Sequence, residues 1–266
     1  MRCAVIGSPI AHSLSPDLHR AAYAWLGLDW RYDRHEVDAA GVAGFVAGLD
    51  EQWRGLSVTM PCKAAIVELG TPDEVVRALG VGNTVIFGGV PSDRGTTTIH
   101  NTDVTGIQMV VRDAALDPAA PVVIFGNGAT ARSCVYALAR LGVPRVAVRA
   151  RDQAKTRALA TDGACWGIEV TPTDAAAETV ISTVPAPVAA AWAGDLARIN
   201  LVFDVLYDPW PTPLVDAARH AGAHVRTGLD LLAAQAVGQV ELMTGRSVDV
   251  AILREAADQA LSRRGR

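Results

Sequence analysis

Short apolar runs that close on glycine or proline turns alternate along this chain with stretches whose apolar residues recur at helical spacing, the two periods that separate strands from helices. Cys3-Ala4-Val5-Ile6-Gly7 reads as a strand ending in a glycine turn, and Pro16 to Leu26 carries helical spacing. Arg31 to Val37 alternates weakly as a second strand, Val42 to Leu49 reads as helix, Leu56 to Thr59 as a third strand and Ala64 to Leu69 as a short helix. Thr84 to Phe87 and Thr97 to His100 read as two strands joined by the turn-forming stretch Gly88 to Gly95. The opening part of the chain therefore predicts one mixed α/β unit.

Val104 to Ala115 is helical in pattern and runs through a proline-marked break, Asp117-Pro118-Ala119-Ala120-Pro121, into a new strand, Val122 to Phe125. Beyond it come a glycine turn, a helix over Ala131 to Leu141 and a strand over Arg145 to Arg149. A helix over Gln153 to Thr161, a strand over Thr179 to Ser182, an alanine-rich helix over Ala186 to Ala197 and a strand over Leu201 to Val205 complete the series. This is the βαβ alternation of a parallel sheet and predicts a second domain. Asp230 to Leu261 reads as one helical stretch rich in small residues, with no clear cap at either end. Its pattern does not say which domain it packs on. A ligand is expected between the two halves, the usual place for a site in two-domain α/β proteins.

Composition narrows the function classes. Half of the 266 residues are hydrophobic, enough for a well-filled core, and the formal net charge is −4 with the arginines dispersed, so no basic stripe suited to nucleic acid is present. Small molecules are the expected partners, and the oligomeric state is left open between monomer and homodimer. Cys3, Cys62, Cys134 and Cys165 show neither a paired motif nor metal-ligand spacing, which predicts free thiols in a reducing compartment. No apolar leader and no run of about 18 apolar residues occurs, so the chain is placed in the cytoplasm, off the membrane. His12, His19, His35, His100, His220 and His224 form no ligand pair with carboxylates, and no metal is expected. Trp25, Trp30, Trp53, Trp166, Trp192 and Trp210 are scattered and are expected in core or domain contacts.

The candidate chemistry starts from lysine. Of 24 basic residues only Lys63 and Lys155 are lysine, and Lys63 follows the strand Leu56 to Thr59 in Thr59-Met60-Pro61-Cys62-Lys63. An amine can release its proton at working pH and a guanidinium cannot, so a retained lysine marks a candidate acid-base group, with chance retention in an arginine-rich chain as the alternative. Asp103 is its candidate partner, and an ordinary ion pair fits the spacing equally. Gly126-Asn127-Gly128-Ala129-Thr130-Ala131 fits G-x-G-x-x-A between a strand and a helix, the context in which a glycine turn and a helix N-terminus hold a pyrophosphate. At the next strand end, Arg149 and Arg151 favour the 2′-phosphate of NADP, while Asp152 leaves room for an NAD ribose or for a helix cap. Ser13 and Ser15 are spaced to hold a carboxylate, although Ser15 before Pro16 reads at least as well as a helix N-cap. Asn83-Thr84 and Asn101-Thr102-Asp103 fall on the same side as Lys63 if the strands are parallel and their carboxyl ends align.

Taken in order, Ser13-Leu14-Ser15-Pro16, Val58-Thr59-Met60-Pro61-Cys62-Lys63, Asn83-Thr84, Asn101-Thr102-Asp103, Gly126-Asn127-Gly128-Ala129, Asp204 to Pro209, Thr212-Pro213-Leu214 and Gln235 resemble the shikimate dehydrogenase family over nearly the whole chain. The resemblance implies a substrate domain over residues 1–103 plus 231–266, with the final helices packed back on it, and a Rossmann-type NADP-binding domain over 104–230. It implies reversible NADPH-dependent reduction of 3-dehydroshikimate to shikimate, on the route to aromatic amino acids, with Lys63 and Asp103 as the catalytic pair. Lys63 would give the proton in reduction and take it back in oxidation. Ser13 and Ser15 would hold the substrate carboxylate, and Thr59, Asn83, Asp103, Tyr207 and Gln235 its hydroxyls or ring edge. Gly126, Asn127, Gly128, Ala129, Thr130, Arg149 and Arg151 would meet the cofactor phosphates, with Val205 and Gly228 along the nicotinamide.

The chain departs from the family pattern at Asn127 and Thr130 in the glycine loop and at Ala150-Arg151-Asp152, where Asn-Arg-Thr is common. Ser57 stands where Asn is common and Asp230 where Gly is frequent. The alternatives are an NAD-preferring quinate/shikimate dehydrogenase, a non-catalytic dinucleotide-binding regulator, and a folate-linked dehydrogenase of similar plan. The last leaves Ser13, Ser15 and Asn83 without a role.

Overall fold

The computed structural model describes residues 1–93, 95–172, 177–192, 198–208 and 210–264. Arg94 of the expected turn, residues 193–197 of the alanine-rich helix and Pro209 lie outside them. The chain divides into two compact units, Met1–Gly106 with Leu232–Arg266, and Ile107–Leu231.

The first unit is built on a six-stranded mixed sheet. Its strands are β1 (Arg2–Gly7), β2 (Arg31–Glu36), β3 (Trp53–Val58), β4 (Thr71–Pro72), β5 (Thr84–Phe87) and β6 (Thr97–His100), in the order β2-β1-β3-β5-β6-β4. β1 pairs in parallel with β2 and β3, whereas β5 runs antiparallel to both β3 and β6. Helices α1 (Ser15–Trp25), α2 (Val42–Ala47) and α3 (Glu74–Leu79) belong to this unit. The expected helix near Ala64 is a tighter 3-10 turn at Ala65–Leu69. Ile6, Leu56, Val85 and Ile99 from the sheet meet Val42, Val46, Ile66 and Val76 in one buried cluster, each side chain worth roughly 1.5–3 kcal/mol on burial.

α4 (Asp103–Asp113) leads into the second unit. Its sheet is wholly parallel, with β7 (Val122–Phe125), β8 (Arg145–Arg149), β9 (Glu169–Thr171), β10 (Thr179–Ser182), β11 (Leu201–Asp204) and β12 (His224–Thr227) ordered β9-β8-β7-β10-β11-β12. That is the doubly wound dinucleotide-binding order, in which the progression of strands across the sheet reverses between β7 and β10. Its helices are α5 (Ala129–Ala139), α6 (Gln153–Trp166), α7 (Ala186–Trp192) and α8 (Pro213–His220). β7, β10 and β11 are buried along their whole length, which is why their centres are apolar, with Thr179, Ser182 and Asp204 the buried polar residues at strand ends.

The C-terminal stretch is two helices, α9 (Gly228–Thr244) and α10 (Val250–Arg264), and not one. The chain leaves α9 at Gly245 and re-enters behind Asp249, whose carboxylate accepts from the Ala251 N–H. α10 packs on α1 within the first unit. α9 also has the cap that its composition hid: Asp230 Oδ2 accepts from the N–H and hydroxyl of Thr227 while Thr227 Oγ1 accepts from the Asp230 N–H, a reciprocal capping pair. No helix among the described residues is long and apolar enough to cross a membrane. The four cysteines are free thiols. Trp25 differs from the expected packing role, standing 57% exposed at the end of α1.

Candidate active site

Asn83 precedes β5, the stretch from Thr59 to Lys63 follows β3, and Asn101-Thr102-Asp103 follows β6. These segments converge because β5 is antiparallel to its neighbours, so its amino end lies beside the carboxyl ends of β3 and β6. The expected alignment of parallel carboxyl ends is corrected in that respect.

Lys63 Nζ donates to Asp103 Oδ2 at 2.5 Å, with side chains 21% and 13% exposed. Both groups are therefore half-enclosed yet reachable. The other carboxylate oxygen, Asp103 Oδ1, accepts from Asn83 Nδ2 at 2.9 Å. Asp103 also opens α4, where the positive helix end favours a carboxylate, and its N–H donates to Asn101 Oδ1. Asn83 is itself locked: its Oδ1 accepts from the Thr102 N–H at 2.8 Å and from the Thr84 hydroxyl at 2.8 Å. Gln235 of α9 donates to the Leu232 carbonyl, leaving its Oε1 to accept from Asn83 Nδ2 and the Thr102 hydroxyl. The structure thus brings Lys63, Asn83, Asp103 and Gln235 into one hydrogen-bonded cluster.

Ser13 and Ser15 lie between β1 and the first turn of α1, and Thr59 at the end of β3. No hydrogen bond among the described residues ties these three hydroxyls to the cluster. Ser15 is not the N-cap its place before Pro16 suggested: the helix begins at Ser15 itself, and the flanking residue is Leu14, without a side-chain cap. Ser13 Oγ instead accepts from the Ser15 N–H at 3.3 Å.

In the second unit, Gly126 follows β7 with φ +104°, a backbone geometry L side chains rarely adopt, and a Cβ there would fall 2.5 Å from Thr183 Oγ1. Gly128 precedes α5 with open space around it and no side-chain cap on the helix end. Ala129 and Thr130 form the first turn, and their N–H groups suit an anion. Asn127 braces the loop by donating to the Asp152 carbonyl and Thr156 Oγ1. Arg149 donates to the Trp192 carbonyl and lies over the Trp192 ring, while Arg151 is exposed beyond β8. Asp152 takes the capping role: it accepts from the Lys155 N–H at the start of α6.

Tyr207, Val205 and Gly228 belong to this unit. Asp204, fully buried at the end of β11, accepts from the Thr212 hydroxyl at 2.7 Å and from the Leu206 N–H. Burial pushes the Asp204 carboxyl upward, against those hydrogen bonds. Because Thr212 also caps α8, this contact pins both ends of the loop that carries Val205 and Tyr207. Gly228 meets the same loop, where any Cβ would fall 2.2 Å from the Val205 carbonyl oxygen. Glycine is required there by close backbone approach.

Sequence reasoning assigned no role to Thr84 or Gln239. Gln239 lies one helical turn after Gln235, and that i, i+4 spacing was the available signal.

Residues 5–85 match the model of the shikimate dehydrogenase substrate binding domain. The chain is 31% identical to the NADP(+)-dependent shikimate dehydrogenase of Methanocella arvoryzae, over 97% of this chain and 98% of that one. The Mycobacterium tuberculosis shikimate dehydrogenase structure is 39% identical, with 98% of each chain covered and a TM-score of 0.85. The Thermus thermophilus enzyme, solved with NADP(H) and shikimate, is 27% identical, with a TM-score of 0.84 over 98% of this chain and 99% of that one. With this similarity running over nearly the whole chain, both units included, the chain belongs to the shikimate dehydrogenase family.

Proposed function

We propose that this chain catalyses the reversible NADPH-dependent reduction of 3-dehydroshikimate to shikimate, and that Lys63 is its acid-base group. The single observation that carries this reading is the 2.5 Å contact between Lys63 Nζ and Asp103 Oδ2, held from the other side by Asn83. Bound NADPH supplies the hydride to the ring carbonyl carbon. Lys63 gives a proton to the alkoxide oxygen so formed and takes it back in oxidation, and its partial exposure lets solvent restore the proton. Asp103 holds the amine in place. Ser13 and Ser15 bind the substrate carboxylate, and Thr59, Asn83, Tyr207 and Gln235 its hydroxyls and ring edge.

The residues of the second unit fit the cofactor. The glycine turn and the uncapped start of α5, with Asn127, Ala129 and Thr130, suit a pyrophosphate, and Val205 and Gly228 would line the nicotinamide. Arg149 and Arg151 would meet the 2′-phosphate. Asp152 Oδ1 is engaged as the α6 cap, and the two arginines beside it favour NADP over NAD. Its free thiols suit a cytoplasmic protein.

Initial rates with shikimate and quinate against NADP and NAD test the reading in four combinations. Shikimate with NADP should be the fastest pair by at least an order of magnitude. Quinate with NAD as the fastest pair would overturn the substrate and cofactor assignment, and no turnover in any pair would remove the enzymatic reading.

A further inference from the structure

Beneath the Lys63–Asp103 cluster lies a second, fully buried polar chain. The Tyr32 hydroxyl donates to Ser57 Oγ at 2.6 Å, and Ser57 Oγ donates to Gln239 Oε1 at 2.8 Å. His19, stacked on Tyr32, approaches the same Gln239 oxygen through Nε2 at 3.2 Å. The amide nitrogen of Gln239 donates to the Asn83 carbonyl at 3.1 Å and to Thr84 Oγ1 at 3.0 Å. Main-chain groups fix the direction of every bond. The Asn83 carbonyl can only accept, so Gln239 must turn its nitrogen to β5 and its oxygen to Ser57 and His19. Thr84 Oγ1, accepting from that nitrogen, has its own proton left for Asn83 Oδ1. The Thr102 N–H can only donate, so it holds the same Asn83 oxygen and leaves Asn83 Nδ2 for Asp103.

We propose that Gln239 is a positioning residue for the acid-base pair, reinforcing through Thr84 the orientation of the Asn83 amide that the Thr102 N–H sets, and thereby steadying the carboxylate that holds Lys63. This rests on the acid-base reading of Lys63. Its physical basis is that a buried amide has few ways to satisfy all its bonds: the Thr102 N–H already holds Asn83 Oδ1, and Gln239, by donating to Thr84 Oγ1 from α9, commits the Thr84 proton to that same oxygen. Without that donor the Thr84 hydroxyl is free to point elsewhere, and Asn83 loses one of the contacts that keep its nitrogen on Asp103.

The test compares Gln239→Met, Thr84→Val and the double variant, each near-isosteric, with Leu253→Ala as a core variant away from the site. Initial rates are taken with shikimate and NADP well below each melting temperature. Gln239→Met should lower kcat/KM for shikimate roughly tenfold, the scale of one lost orienting hydrogen bond, while KM for NADP stays within twofold. Thr84→Val should do the same, and the double variant should be no slower than the slower single one, because both act through one contact. Leu253→Ala should lose stability and keep its rate. Wild-type kcat/KM in Gln239→Met, multiplied losses in the double variant, or an equal loss in Leu253→Ala would each overturn the proposal. If Gln239→Met does not fold, Thr84→Val against wild type decides it, with an unchanged rate counting against the relay. Absence of wild-type turnover would instead sink the enzymatic reading itself.

Discussion

At the scale of single residues, burial sets what each polar group can do. His19 is fully buried, and desolvation lowers its pKa from 6.5 to about 4, while its bond to Gln239 opposes that shift. Gln239 Oε1 can only accept, so His19 carries its proton on Nε2, and its Nδ1 is buried without a partner among the described residues. A lowered histidine pKa means that the unfolded chain binds the proton first on acidification. Stability is therefore intact above about pH 6.5 and is lost as pH falls toward 4, by about 3 kcal/mol in all for this group. Urea unfolding of wild type and His19→Phe at pH 7 and pH 4.5 checks it. Wild type should lose more stability between the two conditions than the variant, and equal losses would rule out His19 as the source.

At the scale of elements, caps and strand ends explain both what could be read early and what could not. β7, β10 and β11 were legible because strands buried on both faces carry a β-branched or aromatic apolar centre, whole in β7 and flanked by Thr179, Ser182 and Asp204 in the other two. α3, no shorter than α2, was not read as a helix, although Asp73 caps its start through the Val76 N–H and Gly80 ends it. β12 hid behind Arg226, whose guanidinium reaches the Asp113 carboxylate. The motif from Asp204 to Thr212 was legible as a resemblance, but its cause is the buried Asp204–Thr212 contact, which joins residues on either side of a loop. Thr212→Val should remove the α8 cap and strand the Asp204 carboxylate, costing roughly 1–3 kcal/mol of stability. Thermal unfolding measures this; an unchanged midpoint would mean that another group satisfies Asp204.

At the scale of the whole chain, chemistry is divided between two compact units, and the candidate site was only partly readable because residues far apart in sequence meet within one of them. Lys63, Asp103, Asn83 and Gln235 could be named from linear motifs, yet Gln239 was given no role, since its partners lie on α1, on β3 and at the start of β5 and meet it only in the folded unit. The proton-handling groups belong to the first unit and the nucleotide turn to the second. Loss of the lysine amine should therefore leave cofactor binding and folding untouched while stopping proton transfer. The most direct measurement is kcat for Lys63→Ala with shikimate and NADP, alongside its NADPH dissociation constant. The account predicts a fall in kcat of roughly 10²–10⁴-fold with NADPH affinity unchanged, and no recovery in Lys63→Arg. Turnover near the wild-type value in either variant would contradict it.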